Sequence, residues 1–395
     1  METLANLILF AVILLLSLPI TVLFLECLLS LFSPNKSDHS SLTETEDFAI
    51  LIPAHNEEKQ IEKTLSPLVE ALEKPQKIVV IADNCEDNTA SLARQMGVTV
   101  LERNNLQQRG KGYALDYGIS YLANSPPSVV VMLDADCYLS AESLNQLVSK
   151  TIAKKRPIQG VYLLEQPSDP TPRDAVSGLA FLVKNWVRPL GLSQVKLPCL
   201  LTGTGMAFPW SVLEQISLAS GNIVEDMQLG IDCAIAGYPP LLAGHAKIIG
   251  YLPSQDQAAT SQRTRWEHGH LQTILEQVPR LIKEAIKQKR VDLFALGLEL
   301  SVPPLSLLVL IWLGVTLLGI ITGLVLGNWW NFILSSLSGL LLLLAIFIAW
   351  YRFGREQVSL QILLTIPFYI LWKIPLYFIF LVRPQKEWVR TERDQ

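Results

Sequence analysis

Residues 4–32 are almost wholly apolar, with Glu26 the one charge among them. About 20 apolar residues suffice to cross a bilayer, and inside lipid such a run has to be helical. It is too long for the core of a signal peptide, and no clear small-residue cleavage site follows. The sequence therefore predicts a retained N-terminal anchor over residues 1–33. Residues 294–326 and 329–350 read as two further spans, joined at Gly327-Asn328, within a segment 293–352. Residues 358–382 are apolar too, but Pro367, Lys373 and Pro375 interrupt them. A lysine at mid-bilayer costs about 2.5–3.5 kcal/mol. Arg352 and Arg355 precede this stretch, and Arg383, Lys386, Arg390 and Arg393 follow it. Both clusters prefer the cytosol, and one full span would separate them. Segment 357–395 is thus expected to be a re-entrant or transmembrane segment with a basic tail, and the re-entrant form keeps both clusters inside.

Composition agrees with a membrane protein that carries a soluble part. Hydrophobic residues make up 50% of the 395, charged ones only 17%, and the mean hydropathy is +0.33. A net charge of −4 argues against a nucleic-acid partner. The five cysteines are scattered with no C-x-x-C pair, which argues against a disulfide framework or a zinc site and fits a reducing cytosolic compartment.

Between the spans, residues 47–256 alternate apolar strand patterns with amphipathic helix patterns, the mark of a largely parallel sheet. Five apolar residues, Val129-Val130-Val131-Met132-Leu133, run into Asp134-Ala135-Asp136, and Cys137 follows. Ligands of open α/β sheets bind just outside the carboxyl ends of the strands. Two carboxylates placed there repel unless a cation lies between them, and hard cations prefer oxygen. A divalent-metal site holding a phosphorylated substrate is one reading; an acidic strand end capping the next helix is the other. Asp83 stands at a second strand end, placed to accept hydrogen bonds from a base or ribose, or to make an Asx-turn. Lys111, between Gly110 and Gly112, can approach a phosphate. Thr202-Gly203-Thr204-Gly205 lacks the third glycine of a dinucleotide fingerprint and reads as a substrate-contacting loop.

Glu225 and Asp226 open a helix, where its dipole favours acids, and one of them can serve as a general base. Gln262, Arg265 and Trp266 stand at i, i+3 and i+4 of another helix and share one face. The guanidinium suits a pyrophosphate and the indole suits the face of a sugar. Residues 257–291 continue as a basic amphipathic helix of interfacial type, with Lys283, Lys287, Lys289 and Arg290 opposite its apolar face. His268 and His270 diverge on a helix, so a metal pair is not expected there.

Seven motifs stand in order: Ile52-Pro53-Ala54-His55-Asn56-Glu57, Ala82-Asp83-Asn84, Arg109-Gly110-Lys111-Gly112, Asp134-Ala135-Asp136, Thr202-Gly203-Thr204-Gly205, Glu225-Asp226 and Gln262-Arg263-Thr264-Arg265-Trp266. Together they resemble glycosyltransferase family 2, in the membrane-anchored group of cellulose, hyaluronan and poly-N-acetylglucosamine synthases. The resemblance implies a GT-A fold, flanked here by transmembrane helices, with its catalytic domain in the cytosol. It implies a nucleotide-sugar donor, usually a UDP-sugar, and inversion by a single in-line displacement. By the same resemblance Asp83 would contact uracil, Asp134 would support the nucleotide, and Asp136 would bind Mg²⁺ or Mn²⁺. Pro53, Glu57 and Lys111 fall in the donor site. Gln262 and Arg265 would hold the pyrophosphate. Asp226 would be the base, with Glu225 beside it. Trp266 would stack under the acceptor sugar, with Thr204 and Gly205 nearby.

The expected role is a saccharide transfer in extracellular polysaccharide synthesis at the cell membrane. The spans are fewer than those of cellulose synthase, so either export needs a second copy or a partner, or the product does not cross the membrane here. Ceramide glucosyltransferase resembles the same motif set with few spans, which makes a glycolipid the alternative product. An inactive scaffold or export subunit is a third reading, opposed by the presence of Asp136, Asp226 and Arg265.

Overall fold

The computed structural model describes residues 2–33, 47–72, 74–167, 170–216, 218, 225–251 and 256–382. Most of the linker, Val224 and the basic tail from Arg383 onward lie outside these. Two compact units form. One gathers the described residues of 47–167 and 198–266, the other those of 2–33, 170–197 and 267–382.

Helix α1 (Glu2–Ser30) opens the chain. Then come β1 (Phe48–Ala54), α2 (Ile61–Ala71), β2 (Ile78–Asp83), α3 (Thr89–Gln95), β3 (Thr99–Arg103), α4 (Lys111–Leu122) and β4 (Val129–Met132). These four strands pair in parallel, in the order β3-β2-β1-β4. Every residue of β2 and β4 is buried, and only Pro53 of β1 is not fully so. That explains their continuous Val/Ile/Leu composition, because helices cover both faces of such a sheet. Helix α4 comes close enough that a Cβ on Gly118 would lie 3.0 Å from Ile81 Cδ1.

The sheet then turns mixed. After β5 (Cys137–Leu139), α5 (Ala141–Lys154) and β6 (Ile158–Glu165), the chain adds α6 (Pro172–Leu182) and α7 (Arg188–Gln194), which a π-turn joins. Strand β7 (Met206–Pro209), short helix α8 (Trp210–Leu213), α9 (Glu225–Ile235) and β8 (Leu241–Tyr251) follow. The full order is β3-β2-β1-β4-β7-β6-β8-β5. Strand β7 runs antiparallel to both neighbours, and β5 runs antiparallel to β8. Sequence alternation predicts the parallel half but not the reversal at β7. Residues 170–197 fold with the apolar helices, because Val176, Leu179, Leu182, Val187 and Leu190 need an apolar partner.

Helices α10 (Asp256–Gln288), α11 (Val291–Leu300), α12 (Leu305–Leu326), α13 (Trp330–Ala349), α14 (Leu360–Leu363) and α15 (Ile366–Val382) complete the chain. Among the described residues, three helices are long and apolar enough to cross a membrane: Leu4–Ser30, Leu305–Leu326 and Trp330–Gly354. The span expected over 294–326 is divided. Pro303 and Pro304 cannot continue a helix, so α11 stops at Leu300 and the membrane-length helix starts at Leu305. Helices α12 and α13 approach closely over small residues. A Cβ on Gly319 would lie 2.9 Å from the Phe332 nitrogen, and Trp312 Nε1 donates to the Ser335 carbonyl at 2.9 Å. Helix α15 has 17 residues, about 25 Å at 1.5 Å each, against a hydrocarbon core of about 30 Å. Its Lys373 is 1% exposed and ion-paired with Glu267.

Candidate functional site

The carboxyl ends of β1, β2 and β4 open onto a cavity of about 350 Å³. Pro53 and Glu57 line it from the end of β1, and Asp83 from the end of β2. Arg109, Lys111, Asp134, Asp136 and Arg265 line it as well. Strand β4 ends at Met132, and the Leu133 N–H still bonds to the Leu51 carbonyl at 3.0 Å. The Cys137 N–H then closes a turn onto the Asp134 carbonyl at 3.2 Å. Asp134 and Asp136 therefore project from the turn between β4 and β5 rather than from the strand itself.

Thr204 holds that turn from behind. It is fully buried, its hydroxyl accepts the Asp134 N–H at 3.0 Å, and its carbonyl accepts Gln159 Nε2 at 2.9 Å. Gln159 Oε1 in turn accepts the Thr202 N–H at 2.9 Å. Gly205 has φ +61, and a Cβ there would stand 2.3 Å from Ile248. Thr204 and Gly205, expected beside an acceptor, thus stand as braces of the acidic turn and do not line the cavity.

Lys111, at the first position of α4, ion-pairs with Asp134 and donates to the Gly203 carbonyl at 2.6 Å. Burial pulls its pKa down, but Asp134, Glu225 and Asp226 outweigh burial and hold the ammonium above its ordinary range. One cation thus joins the D-x-D turn to the acid pair of α9. Gly203 sits between them at φ +90, where a Cβ would lie 3.1 Å from Asp226 Oδ2 and 3.7 Å from Lys111 Nζ. Burial first, and then the neighbouring Asp226 carboxylate, push Glu225 from 4.5 up to about 7. Glu225 and Asp226 do not line the cavity.

Ligand atoms of Asp134, Asp136 and Cys137 all lie within 4.8 Å of one another. Two carboxylates this close, with an ammonium already against one, form a place where positive charge is favoured, and an oxygen-seeking divalent ion fits the donor set. Burial pushes the Cys137 thiol up, and Asp136 and Asp134 add to it, so the sulfur stays protonated. Of the Q-x-x-R-W face, Arg265 alone reaches the cavity; Gln262 is buried and Trp266 half-buried. His268 bonds through Nε2 to the Leu376 carbonyl at 3.1 Å.

Sequence reasoning gives no role to Arg103, Asn84, Arg109 or Gln159. Arg103 is the one a register argument finds, since it pairs with Asp83 across the β2–β3 ladder. Gln159 is a lone polar residue in an apolar strand, and such a residue needs buried partners.

Comparison with known proteins fits this geometry. The glycosyltransferase like family 2 model matches residues 46–269. The 4,4'-diaponeurosporenoate glycosyltransferase of Staphylococcus haemolyticus is 30% identical over 116 residues, 28% of this chain and 30% of that one. The probable glycosyltransferase YdaM of Bacillus subtilis is 24% identical over 274 residues, 64% of this chain and 62% of that one. The chain thus spans less than two thirds of these relatives. The mannosyltransferase PcManGT from Pyrobaculum calidifontis, solved in complex with GDP-Man and Mn²⁺, has a TM-score of 0.52 at 17% identity. That match covers 89% of this chain and 100% of the other, and it shows the GT-A fold. With more than half of its 395 residues matched by the family model, the chain belongs to glycosyltransferase like family 2.

Proposed function

We propose that this chain is a membrane-bound glycosyltransferase that takes a sugar from a nucleoside diphosphate donor. The observation that carries the reading is the single cavity wall that holds Asp83 together with Asp134, Asp136, Lys111 and Arg265. A carboxylate for a base and a cation-collecting end for a diphosphate match the two halves of such a donor. Lys111 and Arg265 face the negative charge that develops on the departing diphosphate. Asp136, with Asp134 beside it, would hold Mg²⁺ or Mn²⁺, which supplies further neutralisation of that charge. Asp226 takes the proton from the acceptor hydroxyl as its oxygen attacks the anomeric carbon, with Glu225 tuning it. Attack opposite the leaving group inverts that carbon. Gln262 and Trp266 act from the α10 side, on the pyrophosphate and the acceptor.

In this reading the catalytic residues lie in the cytosol. Helix α1 crosses once, α12 and α13 cross as a hairpin, and Arg352 and Arg355 stay inside. The acceptor reading that follows from the motif set is a saccharide for an extracellular polysaccharide, with an export partner or a second copy. A single-sugar glycolipid is the second reading, and the similarity to a glycosyltransferase whose name gives 4,4'-diaponeurosporenoate, not a saccharide, as its acceptor favours it. Membranes holding the chain, given labelled nucleotide sugars with Mn²⁺, separate the two. One labelled species in organic solvent means a glycolipid, and labelled polymer means a polysaccharide. Absence of transfer from every donor, with acceptor and partner supplied, would return the chain to a scaffold.

A further inference from the structure

Strands β6, β8 and β5 carry a side-chain cluster that lies outside the cavity wall. Strand β7 runs antiparallel to both β4 and β6, and β8 runs parallel to β6, so β6 and β8 point the same way as β4. Their carboxyl ends therefore reach the sheet edge on which the cavity opens, where ligands of such sheets bind. Strand β5 starts at that edge, directly after Asp136. Register decides which side chains share a face. Tyr138 of β5 stands opposite Ile249 of β8, which is the partner of Leu163 of β6. Two residues on, Tyr251 of β8 is the partner of Glu165 of β6. Ladder partners share a face, as do residues two apart along a strand, so Tyr138, Tyr251 and Glu165 project from one side. Tyr138 and Tyr251 are diagonal neighbours, a separation within reach of aromatic rings. Neighbouring strands lie about 4.8 Å apart, so the cluster is about 10 Å wide. On the opposite face Cys137, Leu139 and Ile248 are fully buried, whereas Tyr138 is 40% exposed, Tyr251 48%, and Glu165 is exposed as well. Leu163 and Ile249 are half-buried and form the floor. Burial, and then Glu165 and Tyr138, push the Tyr251 pKa up, so its hydroxyl remains a donor.

We propose that Tyr138, Tyr251 and Glu165 form a saccharide-binding platform on which the sugar chain of the acceptor lies. The inference rests on the transferase reading above and names a saccharide as the acceptor class of that site. An aromatic ring carries negative charge on its face, and the C–H hydrogens of a sugar ring are weakly positive, so a sugar lies flat against it. Tyrosine offers that face on a side chain with few rotamers to lose, and adds a hydroxyl. Glu165 accepts from sugar hydroxyls in charge-assisted bonds. An alkyl or isoprenoid chain would cover the same carboxylate and hydroxyls without giving them a partner, which costs free energy. The platform is continuous with the donor cavity through Asp136, which lines the cavity and is followed one residue later by β5.

The test uses the full chain in a detergent without a sugar headgroup, with Mn²⁺ and UDP or GDP, whichever it binds by calorimetry. Fluorescent tetrasaccharides of glucose, N-acetylglucosamine and mannose are the probes, read by polarisation. At least one is expected to bind. Tyr251→Leu and Tyr138→Leu keep apolar bulk but lose the ring face, and each should weaken that saccharide on the order of tenfold. Tyr251→Phe keeps the ring and should stay within about threefold of the unaltered chain. Nucleotide affinity should hold in every variant, since none of the three residues lines the cavity, and that reports an intact fold. Unchanged saccharide affinity in the Tyr138→Leu/Tyr251→Leu double variant overturns the platform. So does binding of no tetrasaccharide by a chain that binds nucleotide, and so does a Tyr251→Phe loss as large as that of Tyr251→Leu. Binding of neither nucleotide by the unaltered chain overturns the transferase reading itself.

Discussion

Lys111 is the residue on which the site's charges converge, since it contacts Asp134 and feels both Glu225 and Asp226. That convergence separates the roles of the acids by experiment. Asp226→Asn should lower transfer by about 10²–10⁴-fold, the usual worth of a general base, while donor affinity holds. Normal turnover in that variant would remove Asp226 from the mechanism. Asp136→Ala should abolish the gain in donor affinity on adding Mn²⁺, read by calorimetry; an unchanged gain would place the ion elsewhere. Glu225 titrates near 7, so transfer should rise as pH passes from about 6 to about 8, and Glu225→Gln should flatten that limb. The same raised value has an opposite sign for stability. Glu225 is neutral in both states below about 4.5, and between there and 7 only the unfolded chain gives up its proton. Its contribution to stability is therefore full at low pH and lost as pH climbs through 7, which a denaturation series in wild type and Glu225→Gln resolves. The carboxylates were legible in the sequence because each ends or closely follows a strand or opens a helix. Arg103 and Gln159 were not, because their meaning lies in which neighbour the register gives them.

Among the elements, the loop 202–205 and helix α15 carry the clearest consequences. Gly203 sits at φ +90 with the Asp226 carboxylate against the space a Cβ would fill. Gly203→Ala should reduce transfer at least tenfold with little change in overall fold, since strain and displacement fall on one loop of the site. Wild-type rates would show that the loop yields freely. In α15, Lys373→Met leaves Glu267 without its ion-pair partner in a largely buried place, at a cost of roughly 3–5 kcal/mol. A marked fall in the melting temperature in detergent is the expected reading, and an unchanged one would mean that water reaches Glu267. Strands β1, β2 and β4 were legible because burial on both faces writes itself as unbroken apolar runs. Helices α6 and α7 were not assigned to the apolar unit, because the amphipathic pattern does not say which apolar surface it meets. The break before α12 was readable in Pro303-Pro304 and was outweighed by the length of the apolar run.

For the molecule as a whole, the proposed topology of three crossings puts the turn between α12 and α13 opposite the face that keeps Arg352 and Arg355. An impermeant maleimide on intact cells should therefore label Asn328→Cys, and label Arg355→Cys only after permeabilisation; the reverse pattern would invert the proposed sidedness. Helix α1 is more than a tether. Arg188 of α7 is ion-paired with Glu26 and donates to the Glu299 carbonyl at 2.7 Å, and a Cβ on Gly191 would stand 1.9 Å from the Glu26 carbonyl oxygen. Helix α1 and the first turn of helix α7 thus fit each other as key and lock. They have to be inherited together: a chimera that borrows its leader from another membrane protein brings a key cut for a different door.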